Sequence, residues 1–168
     1  LIGQPGLARW GSWLTKIMLE AHLPIEGLIK KTVFRQFCGG ISEPDCFPVI
    51  ENLQSKNVFS VLDYSVEGKA DEIAFDHACD RIASVLVSAS HHPAIPFGVF
   101  KPTGLGPIDL FELKSQGSQL NPVQEQAWQR VVDRFDLLCG LAAENSIPLL
   151  IDAEESWMQD SADQLVLE

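Results

Sequence analysis

Three short apolar runs constrain this chain more than anything else in it: VFSVLDYS at 58–65, IPFGVFK at 95–101 and IPLLID at 147–152. None alternates apolar with polar residues. Short runs of that kind predict parallel strands covered on both faces. Parallel neighbours cannot be joined by a hairpin and need a crossover, usually a helix. The intervening sequence supplies one each time. Over 71–89, Phe75, Ala78, Ile82, Val85, Leu86 and Ala89 recur at helical spacing, and Asp71 and Glu72 suit the positive end of the helix dipole. A polar loop then leads to Asn121-Pro122, an N-cap followed by a first-turn proline. The stripe Ala127, Val131, Phe135, Leu138 and Ala142 follows and stops near Asn145. The second part of the chain therefore reads βαβαβ. The lead-ins HPAIPF and ENSIPLL form a weak internal repeat. A doubly wound sheet and a (β/α)8 barrel both satisfy this pattern.

Residues 1–57 read as helical. Leu7, Trp10, Leu14, Ile17, Met18 and Ala21 form one stripe, which Pro24 ends; Ile25, Leu28, Ile29, Val33 and Phe37 form the next. Gly39 and Gly40 offer a left-handed stop. Ser42, with Asp45 three residues on, predicts a capped helix to about Lys56 that Pro48 kinks or shortens. Glu67-Gly68 predicts a turn, and the tail from Ser161 predicts a further helix. The expected organisation is a helical segment over 1–57 and β/α units over 58–168.

Composition narrows the function. The net charge is −11, from 12 Lys and Arg against 23 Asp and Glu, which argues against a nucleic-acid partner. Cys38, Cys46, Cys79 and Cys139 form no C-x-x-C pair and fit no zinc site; scattered thiols fit a reducing cytosol. No apolar run approaches the roughly 20 residues of a membrane helix. The opening LIGQPGLARWGSW lacks the basic head and continuous apolar stretch of a signal peptide. With no initiator Met, a processed or trimmed start is expected, and the closing DQLVLE reads as cut within an element. Trp10 and Trp13 fit a barrel floor better than a membrane surface.

The three runs end in ionisable residues: Asp63, Lys101 and Asp152. Ligands of barrels and open parallel sheets sit at the carboxyl ends of strands, so charges of mixed sign there form a candidate constellation. A structural ion-pair cluster closing the strand ends is the alternative. Glu154 and Glu155 would suit a metal or a general base if they converged, but capping the next turn explains them more simply. His91-His92-Pro93 precedes a strand, at the end opposite the expected site. GLGP at 104–107 is no dinucleotide fingerprint, and there is no phosphate-binding P-loop. No metal site is expected.

Four stretches in order, LPIEGLIKKTVFRQFCGG, VLDYSVEGK, PFGVFKPTGLG and IPLLIDAEES, resemble proline dehydrogenase, in particular the stand-alone bacterial type. The resemblance runs from about residue 20 to 160. It implies helices preceding a distorted (β/α)8 TIM-type barrel, of which this α/β chain holds about three strands. It implies bound FAD, oxidation of L-proline to Δ1-pyrroline-5-carboxylate, and a quinone acceptor. The implied place is the cytoplasm, with peripheral contact at the inner face of the membrane. Carried over by position, Lys101 matches the lysine that holds the proline carboxylate beside the flavin. Asp152 matches the catalytic active-site aspartate, and Ala153 the residue whose backbone meets FAD. Asp63 matches the acidic position on the wall of the site.

Length departs from that family, because a complete barrel takes roughly 250 residues. The family's later strands carry most FAD contacts and a paired-arginine segment, so the segment alone is expected to be inactive. An open sheet edge would favour self-association. Two other readings compete: a Schiff-base aldolase-like barrel with Lys101 as nucleophile, and a non-catalytic barrel fragment.

Overall fold

The computed structural model describes residues 38–64 and 71–167 without a break, and scattered single positions before 38. The helices expected over 7–21 and 25–37, and the turn at Glu67-Gly68, fall largely or wholly outside the described residues. The chain divides into two compact units, 1–46 and 47–168.

The helix α1, Glu43–Gln54, starts after Ser42, whose N–H and hydroxyl both donate to the Asp45 carboxylate at 3.1 and 2.8 Å. Pro48 lies inside it without breaking it. Asn57, at φ 60°, reverses the chain just beyond. Then comes α2, Glu72–Ser90, capped by the Asp71 carboxylate on the Ala74 N–H at 2.8 Å. Every member of its predicted stripe is buried.

Strand β1, Gly98–Phe100, and strand β2, Leu149–Ile151, pair in parallel, Gly98 with Leu149 and Phe100 with Ile151. Between them lie a 3-10 turn, Pro102–Gly104, the helix α3, Ile108–Ser115, and the helix α4, Pro122–Glu144. Asn121 and Gln124 form a reciprocal capping box at the start of α4. After β2 comes α5, Gln159–Leu167.

The core is one cluster built from these elements. Leu86 of α2, Phe100 of β1, Phe111 of α3, Phe135 and Leu138 of α4, and Met158 are all essentially inaccessible. Phe100 meets Phe135 edge-on, with ring centroids 5.0 Å apart. Gly98 is glycine for a packing reason: a Cβ there would collide with the Leu86 side chain and lie 3.3 Å from Leu149.

Two expectations need correction. VFSVLDYS is not a strand over its described residues, 58–64, and the sheet among the described residues has two strands rather than three. The Ser60 N–H donates to the Ala94 carbonyl at 3.0 Å, and a single bond of that kind makes no ladder. Val58, Phe59 and Val61 remain exposed beside it. The polar loop before Asn121 contains α3, which buries Leu110 and Phe111. Eight residues are too few for a helical period to stand out.

Candidate active site

Beyond β1 the ladder runs one step further, where the Asp152 N–H donates to the Phe100 carbonyl at 3.0 Å. Lys101 and Asp152 thus leave neighbouring strands side by side at their carboxyl ends. The Lys101 ammonium donates to Asp152 Oδ2, and Asp63 Oδ2 lies 3.7 Å from the same Nζ. The irregular run 58–64 therefore still delivers its acidic end to the predicted place. The side chains of Lys101, Asp63 and Asp152 are 24%, 38% and 46% exposed, so the cluster is open to a ligand as well as to water.

The Asp152 hydrogen bond, opposed by desolvation and helped by the charges of Asp63, Asp152 and Glu154, holds the Lys101 pKa above the ordinary lysine value. Lys101 is thus a fixed cation. A nucleophilic amine requires the opposite shift. Ala153 is exposed, and among the described residues its backbone N–H and carbonyl take no hydrogen bond.

Thr103 and Glu154 extend the pairing. Glu154 Oε2 accepts the Thr103 N–H at 2.9 Å, and Oε1 accepts its hydroxyl at 2.7 Å. The turn after β2 is not what Glu154 caps; it fastens the loop after β1. Glu155 is exposed. The sequence carries a faint signal for this contact, an acidic or hydroxyl residue two positions past each strand-end charge.

Arg134 was not legible as a key residue. It is 6% exposed, yet its guanidinium bonds Asp76 at 2.6 and 2.9 Å, Glu72 at 2.6 Å and the Leu105 carbonyl at 2.8 Å. Arg130 joins it through Glu72 at 2.8 Å. At the opposite end of the strands, His92 stacks on Phe47 with ring centroids 5.4 Å apart, and His91 Nδ1 lies 2.7 Å from the Val87 carbonyl. Among the described residues, no group of three His, Cys, Asp or Glu is arranged to hold a metal ion. No helix among them is long and apolar enough to cross a membrane.

Parallel strands backed by helices, with mixed charges gathered past the strands' carboxyl ends, define an α/β protein of the kind that binds ligands at that edge. The proline dehydrogenase family model matches residues 46–168, and the chain belongs to that family. It is 33% identical over 116 residues to the carbapenem antibiotics biosynthesis protein CarD of Pectobacterium carotovorum subsp. carotovorum, covering 69% of this chain and 31% of that protein. It is 25% identical over 183 residues to the mitochondrial proline dehydrogenase 1 of Dictyostelium discoideum, covering 86% of this chain and 32% of that one. The chain thus spans about a third of the length of the curated relatives it matches.

Proposed function

We propose that the protein containing this chain oxidises L-proline to Δ1-pyrroline-5-carboxylate with bound FAD, in a (β/α)8 barrel of which this chain forms one part. The observation that carries this reading is Lys101, a cation held at the strand ends between Asp152 and Asp63. An ammonium has three donors. Asp152 takes one and Asp63 stands at 3.7 Å, which leaves a donor for a substrate carboxylate. Burying that carboxylate requires such a cation.

The charge balance suits an amino acid better than a simple anion. One cation between two carboxylates carries a net negative charge, and a zwitterion brings one charge of each sign. The substrate carboxylate faces Lys101 and its ammonium faces the acids. Asp152 takes the amine proton on its carboxylate, as the oxidation requires. Asp63 helps to keep Lys101 charged while Asp152 does so.

FAD is supported by the exposed Ala153 peptide, whose N–H and carbonyl take no hydrogen bond among the described residues; it adjoins Asp152 and can meet the hydrogen-bonding edge of a flavin ring. When bound, FAD supplies the hydride acceptor. This chain's own residues bind the carboxylate, orient the ring and hold the proton. A quinone as final acceptor, and a cytoplasmic protein touching the membrane's inner face, complete the reading. The Schiff-base alternative is disfavoured by the raised Lys101 pKa.

The test is dye reduction by the purified full-length protein loaded with FAD. Proline-dependent reduction is expected. Reduction that ignores proline, with Lys101 trapped by borohydride on a carbonyl substrate, would replace this reading with the aldolase-like one.

A further inference from the structure

We propose that Glu154 is a positioning residue for Lys101, acting through Thr103; its consequence for substrate rests on the proline-binding reading above. The backbone ladder ends at the bond between the Asp152 N–H and the Phe100 carbonyl. From Lys101 onward the chain leaves the sheet and enters the 3-10 turn Pro102–Gly104. Among the described residues, no ladder bond fixes Lys101 from that side.

The Glu154 carboxylate replaces the missing ladder step. The strand register pairs Phe100 with Ile151, and the side-chain pairs Lys101 with Asp152 and Thr103 with Glu154 keep the same offset. Thr103 sits in the first turn of the 3-10 segment, where N–H groups lack a partner within the turn. Glu154 takes that N–H and the hydroxyl together, and charge-assisted bonds of this kind are the strong ones. The Glu154 N–H is in turn held by Gln159 Oε1 at 3.3 Å.

The turn transmits this constraint to Lys101. The Lys101 carbonyl accepts the Gly104 N–H at 3.0 Å, and Pro102 between them is buried with its φ fixed by its ring. Arg134 pins the far end through the Leu105 carbonyl at 2.8 Å. Lysine's flexible stem makes this necessary. Its ammonium can stay between Asp63 and Asp152 only if the backbone that launches it is held still.

The test uses full-length, FAD-loaded protein and three variants: Glu154→Gln, Thr103→Val and Thr103→Ser. The first readout is acylation of individual lysines by an amine-reactive reagent, followed by peptide mass analysis. Lys101 is expected to react about tenfold faster in Glu154→Gln and Thr103→Val, as a released ion pair implies, and at near wild-type rate in Thr103→Ser. Lys56 and Lys114 should not change in any of them. The second readout is proline kinetics, where the first two variants should raise KM about tenfold and change kcat by less than about threefold. Unchanged Lys101 acylation, or acylation rising equally at Lys56 and Lys114, overturns the clamp. Selective Lys101 release with unaltered KM overturns its role toward substrate. If the wild type oxidises no proline, the function fails, while the acylation pattern still decides the clamp.

Discussion

Lys101 and Asp152 meet because each is the first residue past its strand, and each loses something different when changed. If Lys101 holds the substrate as proposed, Lys101→Ala removes a charge-assisted contact to a desolvated carboxylate, a loss of about 1.5–3 kcal/mol. The expected outcome in the full-length protein is a proline KM raised by roughly one to two orders of magnitude, with FAD content unchanged. A KM within about twofold of wild type would return Lys101 to a purely structural ion pair. Asp152→Asn keeps the volume and removes the charge that, in the proposed reaction, would take the amine proton. We expect a folded protein whose kcat falls by about 100-fold or more. A near-normal kcat would make Asp152 a strand-end cap. The pH sign for Lys101 follows from its partners. Its folded pKa lies above its unfolded value of 10.5, so its ion-pair stabilisation is fully present below that value and lost only as pH rises through the raised pKa.

At the scale of elements, α2, α4 and the loop after β1 are tied together by Arg134. Removing a buried cation from water is costly, and the arrangement recovers that cost by satisfying the guanidinium on three sides. Glu72 and Asp76 keep 38% and 68% of their side chains exposed, so these ion pairs are screened by water and contribute less than buried ones. Glu72 carries the clearest pH signature. The Arg130 hydrogen bond, with Arg134 behind it and desolvation opposing, lowers its pKa from 4.5 to about 2. Its folded value is below its unfolded one, so its contribution is present above 4.5 and lost as pH falls toward about 2. Thermal melts across that window should show wild-type Tm dropping, and Glu72→Gln starting lower at neutral pH and falling less. Parallel curves for the two proteins would sever Glu72 from acid stability.

At the scale of the molecule, β1 and β2 with the run 58–64 form one side of the candidate site. A drug-sized ligand has roughly 70–90% of its surface enclosed, and one side cannot do that for FAD. The 168-residue chain by itself is therefore expected neither to hold FAD tightly nor to oxidise proline. Among the described residues the sheet has two strands, and Val58, Phe59, Val61 and Leu150 are 47%, 54%, 42% and 47% exposed. Self-association should follow. Flavin-fluorescence quenching and sedimentation of the chain check both expectations. Micromolar FAD binding by a monodisperse monomer would mean that the proposed site needs no more than this chain supplies.

Local chemistry was written plainly in the sequence. The stripe from Phe75 to Ala89, the acidic start at Asp71, the cap at Asn121, and the strand-end charges Lys101 and Asp152 depend on neighbours a few residues away, so periodicity and residue type suffice to find them. The strand register was different. Aligning the two Ile-Pro lead-ins, Ile95-Pro96 on Ile147-Pro148, would set Lys101 opposite Ala153. The sheet instead pairs Phe100 with Ile151 and carries Lys101 to Asp152. A slip of one residue turns every side chain to the other face, and what forbids it is packing, with Gly98 pressed against Leu86. The absence of a ladder at 58–64, the Arg134 anchor and the Thr103–Glu154 clamp were likewise decided by the tertiary structure. Each depends on groups tens of residues apart in the chain, and no local pattern records which of them will meet.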